Sequence, residues 1–237
     1  MDMNLFLKKY NITDETFLQC GLSWEELMSI YKDYICKISE LEYTAEYLAS
    51  ILRKVPNIHS VKFRVKDPEH LIEKIIRKKI KRPHMSIDAS NYPNLMTDLI
   101  GTRVIHLFKE DWEAIDKFIR SRWHLAEKPQ ANFKKGDMGV PFENFISKGF
   151  DIRYREFGYR SIHYLVKIET GGIPLIAEIQ LRTIFEEAWS EIDHHIRYPY
   201  NTENPIISNY LKILNQLSST ADDMASFLKV FEKDLKK

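Results

Sequence analysis

Two stretches past the middle of the chain alternate polar and apolar residues, and they constrain the fold more than any other part of the sequence. In Ile173 to Arg182, Leu175, Ala177, Ile179 and Leu181 fall on one face of a period of two, and Glu178, Gln180 and Arg182 on the other. In Tyr159 to Ile168, Tyr159, Ser161 and His163 alternate with Arg160, Ile162, Tyr164 and Val166. Gly171-Gly172 between them reads as a hairpin turn. With both apolar faces toward a core, the two polar triplets share the opposite surface. An aromatic ring, an imidazole, a carboxylate, an amide and a guanidinium then converge. A merely solvated sheet face carries Thr, Lys and Glu instead.

Most of the remaining periodicity is helical. Ser23 to Leu52 has apolar residues every three or four positions, opens on the capping box Ser23–Glu26 and ends before Pro56. Ser60 to Val65 reads as a short strand, and Asp67-Pro68 opens a helix to about Ile80. Leu99 to Phe108 is strand-like and strongly apolar, and Asp111 to Trp123 is an amphipathic helix. Ala131 to Phe157 reads mostly as a long loop of the kind that carries function. Thr183 with Glu186 is a second capping box, opening a helix whose Phe185, Trp189, Ile192 and Ile196 are assigned to the core. Ile206 to Leu235 is helical, and its apolar stripe is read as packing or as a surface for self-association into a homo-oligomer. The order predicts an α/β (α+β) fold, a mixed β-sheet with flanking helices. The expected organisation is a helical flank at 1–56, a core at 57–200 and a helical segment at 201–237.

A formal net charge of +1, from 35 basic and 34 acidic residues, argues against a polyanion ligand only if charge is evenly spread. It is not. Arg53 to Arg82 holds eleven basic residues and three acidic ones, a local net charge of +8 that the rest of the chain offsets with −7. Such a segment points to an anionic ligand. The two cysteines, Cys20 and Cys36, have no metal or redox spacing and suit a reducing cytoplasm. No apolar run approaches the roughly 18–20 residues of a membrane span, and the start lacks a signal-peptide layout. A cytoplasmic protein without membrane association is expected.

Asp98 stands before an apolar strand, and Glu178 lies on another. Two such carboxylates can share one Mg²⁺, which leaves its other positions to water and phosphate. The chain has neither G-x-x-x-x-G-K-[ST] nor G-x-G-x-x-G. A bound nucleoside triphosphate would therefore need side-chain cations, which Lys66, Lys74, Arg77 and Lys78 offer at helical spacing.

Taken in order, Arg64-Val65-Lys66 with Glu73-Lys74, Asp98 to Val104, Gly158 to His163 and Glu178 to Thr183 resemble the synthetase domain of the RelA/SpoT family. Asp193-His194 through Tyr198 resembles that family's region after the last strand, and the length resembles the small single-domain alarmone synthetases. The resemblance spans about residues 59–200. It implies a nucleotidyltransferase-like fold and transfer of the β,γ-pyrophosphate of ATP to the 3′-hydroxyl of GDP or GTP, releasing AMP. It implies that Arg64 and Arg103 hold the adenine and that Lys66, Lys74 and Arg77 bind the ATP phosphates. Asp98 and Glu178 become the Mg²⁺ carboxylates, with Glu178 also taking the proton of the attacking hydroxyl. Tyr159 becomes the stacking platform for the acceptor base. His163, Gln180, Arg160 and Arg182 become acceptor contacts. No metal-dependent hydrolase half precedes these motifs, so synthesis without degradation is expected.

His70, Arg155 and Tyr198-Pro199 depart from the family pattern, chiefly on the acceptor side. Together with the basic run Lys78, Lys79, Lys81 and Arg82, they support an alternative reading. In it the chain is a toxin-type member that pyrophosphorylates the 3′ end of tRNA and is neutralised by a small antitoxin. A variant reading makes adenosine alarmones. A third is a non-catalytic nucleotide sensor, against which the retention of Asp98 and Glu178 argues.

Overall fold

Side chains at the helix starts take up amides that the first turn leaves without partners. The Ser23 hydroxyl accepts from the Glu26 amide at 3.1 Å, and the Glu26 carboxylate accepts from the Ser23 amide at 2.7 Å, so both halves of the capping box form. Asp67 accepts from the amides of Glu69 and His70 at 2.9 and 3.0 Å, with Pro68 in the first turn where no donor is lost. The computed structural model describes residues 1–134, 142–155, 160–170, 173–197 and 204–235. Its helices are α1 (Met3–Lys9), α2 (Asp14–Cys20), α3 (Trp24–Leu52), α4 (Pro68–Lys81), α5 (Tyr92–Leu95), α6 (Trp112–Arg122), α7 (Phe142–Ser147), α8 (Ile184–Arg197) and α9 (Pro205–Leu235). Its strands are β1 (Ile58–Val65), β2 (Ile100–His106), β3 (His124–Leu125), β4 (Gln130–Lys134), β5 (Asp151–Arg155), β6 (Ser161–Thr170) and β7 (Ile173–Thr183).

The strands form one sheet in the order β1-β2-β7-β6-β4-β5, with β3 pairing on β6. The sheet is mixed. β4 runs parallel to β5, pairing Ala131 with Ile152, and antiparallel to β6, pairing Asn132 with Ser161. The expected mixed sheet with flanking helices is therefore present. The 131–157 segment is not a loop throughout: β4, α7 and β5 occupy much of it. Parallel neighbours need a crossover, and α7 lies within it. Its aromatic residues drive this local order. Phe145 stacks on Trp112 with ring centroids 4.1 Å apart, and Phe133 meets Phe145 edge-on at 5.2 Å. The turn at Gly171-Gly172 and the platform residue Tyr159 lie outside the described residues.

The chain gathers into two compact units, and β1, β2, β6 and β7 each contribute to both. One comprises 1–47, 63–101 and 168–177. Its core is built from one stripe of α3 (Leu27, Ile30, Tyr34, Leu41, Ala45) and one of α4 (Leu71, Ile72, Ile75, Ile76), all buried. Both stripes recur every three or four residues, so each helix presents one apolar face. Buried Tyr34 donates its hydroxyl to the Lys66 carbonyl at 2.6 Å, and buried Tyr92 donates to Asp33 at 2.8 Å.

The other unit comprises 48–62, 102–167 and 178–237. Ile162, Tyr164 and Val166 of β6 and Ile179 and Leu181 of β7 are buried, as their alternation requires, together with Ile115 and Ile119 of α6. In α8 the expected core stripe is only partly correct. Trp189 is buried and donates its indole N–H to the Leu211 carbonyl at 3.0 Å, whereas Phe185, Ile192 and Ile196 are exposed. The buried side of α8 instead carries Glu186 and Glu187, because cations from the strands meet the helix there. α9 turns Leu211, Asn215, Ser218 and Asp222 inward. On its outer side Ile206, Tyr210, Ile213, Leu217, Met224, Phe227 and Phe231 are each more than half exposed. Among the described residues no helix is long and apolar enough to cross a membrane.

Two buried carboxyls lie where α8 and α9 meet. Arg160 donates to Glu186 at 3.0 Å and to Asn215 at 3.1 Å, and Thr183 donates to Asp222 at 2.8 Å. Burial pushes Glu186 up to about 7 against the pull of Arg160, and pushes Asp222 up to about 6 against the Thr183 bond and Lys109. Both groups hold protons in the folded state that the unfolded chain has released, so folding loses stability as pH rises through their titration. Asp222→Asn keeps an acceptor for Thr183 and removes the charge. A shift of about two pH units corresponds to at most about 3 kcal/mol. The variant is expected to melt roughly 4–8 °C higher at pH 8, with about half that gain at pH 5. Thermal melts at the two pH values check this; no gain at pH 8, or a larger gain at pH 5, contradicts it.

Candidate active site

In the first unit the basic segment converges on one carboxylate. β1 ends at Val65, and the Lys66 amide donates to the Leu99 carbonyl at 2.9 Å, which sets Lys66 beside the residue after Asp98. α4 starts two residues later and carries Lys74 to the same point. Lys66 Nζ lies 2.9 Å and Lys74 Nζ 2.6 Å from Asp98 Oδ2. Asp98 Oδ1 is buried and has no hydrogen-bond partner among the described residues. Burial works to raise the Asp98 pKa, but the two ammonium groups outweigh it and hold the carboxyl below the usual range. Two cations on one anion leave a surplus positive charge beside an unmet acceptor oxygen. That suits a polyanion accompanied by a divalent cation.

The other basic residues divide. Arg77 is exposed and paired with Glu73 at 3.2 Å, one helical turn back. Arg64 is exposed, with its side chain along Gly101, where a Cβ would stand 3.5 Å from its Nε. Lys78 donates to the Leu95 carbonyl, and its pKa is lowered by burial and by neighbouring Lys74 and Arg82. Lys79 is buried and donates to the carbonyls of Pro83 and Met85 at 2.8 and 2.9 Å, closing the C-terminal end of α4. Lys81 and Arg82 are exposed.

In the second unit the polar faces of β6 and β7 form a continuous hydrogen-bonded chain. Asn132 accepts from Arg155 at 2.7 Å and donates to the Ser161 hydroxyl at 3.3 Å. Ser161 Oγ lies 2.8 Å from His163 Nε2, and His163 Nδ1 lies 2.9 Å from Glu178 Oε1. A carboxylate only accepts, so Nδ1 carries the proton toward Glu178. Gln180 donates to Glu178 Oε2 at 2.8 Å, and Arg182 donates to Gln180 Oε1 at 2.9 Å. Arg182 also donates to Glu187 Oε2 and to the Ser190 hydroxyl, each at 2.9 Å. Glu187 Oε1 receives Lys62 at 3.2 Å and Arg103 at 3.3 Å, and Arg103 pairs with Glu191 as well. Burial works to raise the Glu187 pKa, but Arg182, Arg103 and Lys62 outweigh it and hold the carboxyl low.

The structure thus gathers Lys66, Lys74 and Asp98 in one unit. In the other it gathers His163, Glu178 and Gln180, joined through Arg182 and Glu187 to Arg103. Arg160 is turned toward Glu186 and Asn215 rather than toward this chain. Sequence reasoning missed Glu187 and Asn132. Glu187 and Glu191 lie one turn apart on α8, right after a strand ending in Arg182 and Thr183, and that spacing was the available signal. Asn132 gave none, since its strand read as loop.

A family model described as a region found in RelA and SpoT proteins matches residues 63–203. The GTP pyrophosphokinase YjbM of Bacillus subtilis is 24% identical over 189 residues, covering 77% of this chain and 76% of that protein. The GTP pyrophosphokinase YwaC of the same organism is 25% identical over 152 residues, 62% of each chain. Among solved structures, small alarmone synthetase 1 from Bacillus subtilis superposes with a TM-score of 0.60 at 21% identity, covering 85% of this chain and 95% of that one. A GTP pyrophosphokinase family protein from Streptococcus pneumoniae gives 0.58 at 22% identity, covering 90% and 97%. With a family region that covers more than half of its length, both alternating strands and the cation cluster at Asp98, the chain belongs to the RelA/SpoT family.

Proposed function

We propose that the protein is an ATP-dependent pyrophosphokinase that makes (p)ppGpp from GDP or GTP. The observation that carries this reading is Asp98, with one oxygen under two ammonium groups and the other buried without a partner. It prepares a site for a triphosphate and a divalent cation. The relatives support it: two are named GTP pyrophosphokinases, and small alarmone synthetase 1 has been solved with pppGpp and with AMPCPP.

In this reading Arg64 and Arg103 hold the adenine between guanidinium planes. Lys66, Lys74 and Arg77 neutralise the phosphates. Asp98 Oδ1 and Glu178 would hold Mg²⁺, which when bound offsets charge on the phosphoryl oxygens. The 3′-hydroxyl of the acceptor attacks the β-phosphorus of ATP, the bond from that phosphorus to the α,β-bridging oxygen breaks, and AMP leaves with that oxygen. Glu178 takes the hydroxyl proton, with its carboxylate fixed from two sides by His163 and Gln180. Tyr159 would stack on the acceptor base, with His163, Gln180 and Arg182 around it, while Arg160, bound to Glu186 and Asn215, takes no part. Transfer of this kind needs positioning and charge neutralisation more than covalent chemistry.

One observation favours tRNA as the acceptor. Lys81 and Arg82 remain exposed beyond the phosphate cluster, as a backbone contact requires, whereas Lys78 and Lys79 are committed to carbonyls of their own unit. An antitoxin partner belongs to this second reading alone.

Self-association is proposed on α9. Ile206, Tyr210, Ile213, Leu217, Thr220, Met224, Phe227 and Phe231 follow the alternating four- and three-residue spacing of a coiled-coil seam, opposite the face turned to its own unit.

γ-Labelled ATP offered with GDP, GTP, ATP alone or deacylated tRNA tests the acceptor. Label in a guanosine nucleotide is expected; label only on tRNA establishes the second reading, and no transfer with intact ATP binding refutes both. Glu178→Gln is expected to lower kcat at least about 100-fold with an unchanged melting temperature, and full activity would contradict its role. Lys81→Ala with Arg82→Ala is expected to leave GDP use within about twofold and, under the second reading alone, to lower tRNA use about tenfold. Leu217→Glu with Phe227→Glu is expected to turn a multimer into monomer in sedimentation. A wild-type chain that already sediments as monomer contradicts the seam.

A further inference from the structure

Glu187 has no role in the transfer chemistry just described, yet it is a buried carboxylate that three cations share. Lys62 comes from β1, Arg103 from β2 and Arg182 from β7, while Glu187 stands in the first turn of α8. A carboxylate out of water is costly unless it is paired and hydrogen-bonded, and ion pairing of this kind adds little net stability over apolar packing. Three cations on one carboxylate therefore need a reason beyond stability. The two guanidiniums supply it. Both are planar, and both owe their use at a nucleotide to the direction of that plane.

We infer that Glu187 is the positioning residue of the site. One oxygen orients Arg103 on the ATP side; the other, through Arg182 and Gln180, orients Glu178 on the acceptor side. The inference rests on the proposed roles of Arg103 and Glu178. The bonds are directional: Oε1 takes Arg103 Nη1, and Oε2 takes Arg182 Nη1. Both contacts on Arg103, from Glu187 and from Glu191, fall on Nη1. Such bonds lie near the guanidinium plane and leave its faces for a base. The two acidic partners differ. Glu187 is buried and stays, whereas Glu191 is about half exposed and can yield to an incoming nucleotide. From Arg182 the path to the proposed base has two further hydrogen bonds, to Gln180 and from Gln180 to Glu178. Glu187 would touch neither nucleotide; it would act through residues that do.

Steady-state kinetics of the full chain, with ATP and GDP, test this. Glu187→Gln is expected to raise KM for ATP about tenfold and to lower kcat about tenfold, the two effects belonging to the two arms. On an Arg103→Ala background the same change should raise KM for ATP by no more than about twofold further, while its effect on kcat persists. Glu187→Asp keeps the charge but withdraws it by one methylene and should show both effects more weakly. If Glu187→Gln does not fold, Glu187→Asp decides. A folded Glu187 variant with wild-type KM and kcat overturns the inference, as does a KM effect that multiplies fully with that of Arg103→Ala. Arg103→Ala with an unchanged KM for ATP overturns instead the adenine role on which the ATP arm rests.

Discussion

Lys66 and Lys74 on a single oxygen of Asp98 are the interaction on which the site depends. Neither ammonium would remain beside the other without the carboxylate between them, and the carboxylate would not stay ionised at its depth without them. The supporting structure serves this contact. The Asp67 cap and Pro68 start α4 where Lys74 falls nearly two turns along, the Leu99 carbonyl fixes the Lys66 backbone, and the Tyr34 hydroxyl fixes the Lys66 carbonyl. Positive charge is held ready beside one buried carboxylate oxygen that meets no donor among the described residues. This is charge preorganisation, which costs nothing at the moment of reaction because it was completed on folding.

A second principle recurs in the other unit. Buried carboxylates fix the direction of cations rather than merely neutralising them. Glu187 holds Arg182 and Arg103, Glu186 holds Arg160, and Asp116 receives both the Tyr164 hydroxyl at 2.9 Å and Arg120 at 2.7 Å. Where the cations are insufficient, as at Glu186 and Asp222, the carboxyl keeps its proton to higher pH. The same residue type is thus ionised and directional on one side of the first turn of α8, and protonated more readily on the side that meets α9.

Much of this was legible in the sequence because a period of two is an unambiguous statement about faces. The alternation in Ile173 to Arg182 assigned Leu175, Ala177, Ile179 and Leu181 to the core and Glu178 and Gln180 to the opposite face, and the structure agrees. The capping residues Ser23, Asp67 and Thr183 were equally direct, since a short polar side chain before an apolar run has one common use. What escaped was the content of helix faces. Phe185, Ile192 and Ile196 have core spacing, but spacing cannot tell that strand cations would claim the buried side of α8 for Glu186 and Glu187. The two strands and the helix within 131–157 escaped because the aromatic contacts around them reach Trp112, a residue distant in sequence. Lys79 belongs in the sequence to the basic run offered to tRNA, and only the local fold shows it buried and bound to two carbonyls.

The central claim is transfer of an intact pyrophosphate, and the fate of ATP tests it most directly. Phosphorus NMR of a mixture of protein, Mg²⁺, ATP and GDP separates the outcomes without any label. The account predicts AMP appearing one for one with the loss of ATP and of GDP, with no ADP and no free phosphate. ADP with phosphate, or ATP and GDP left unchanged by a folded protein that binds ATP, would contradict it.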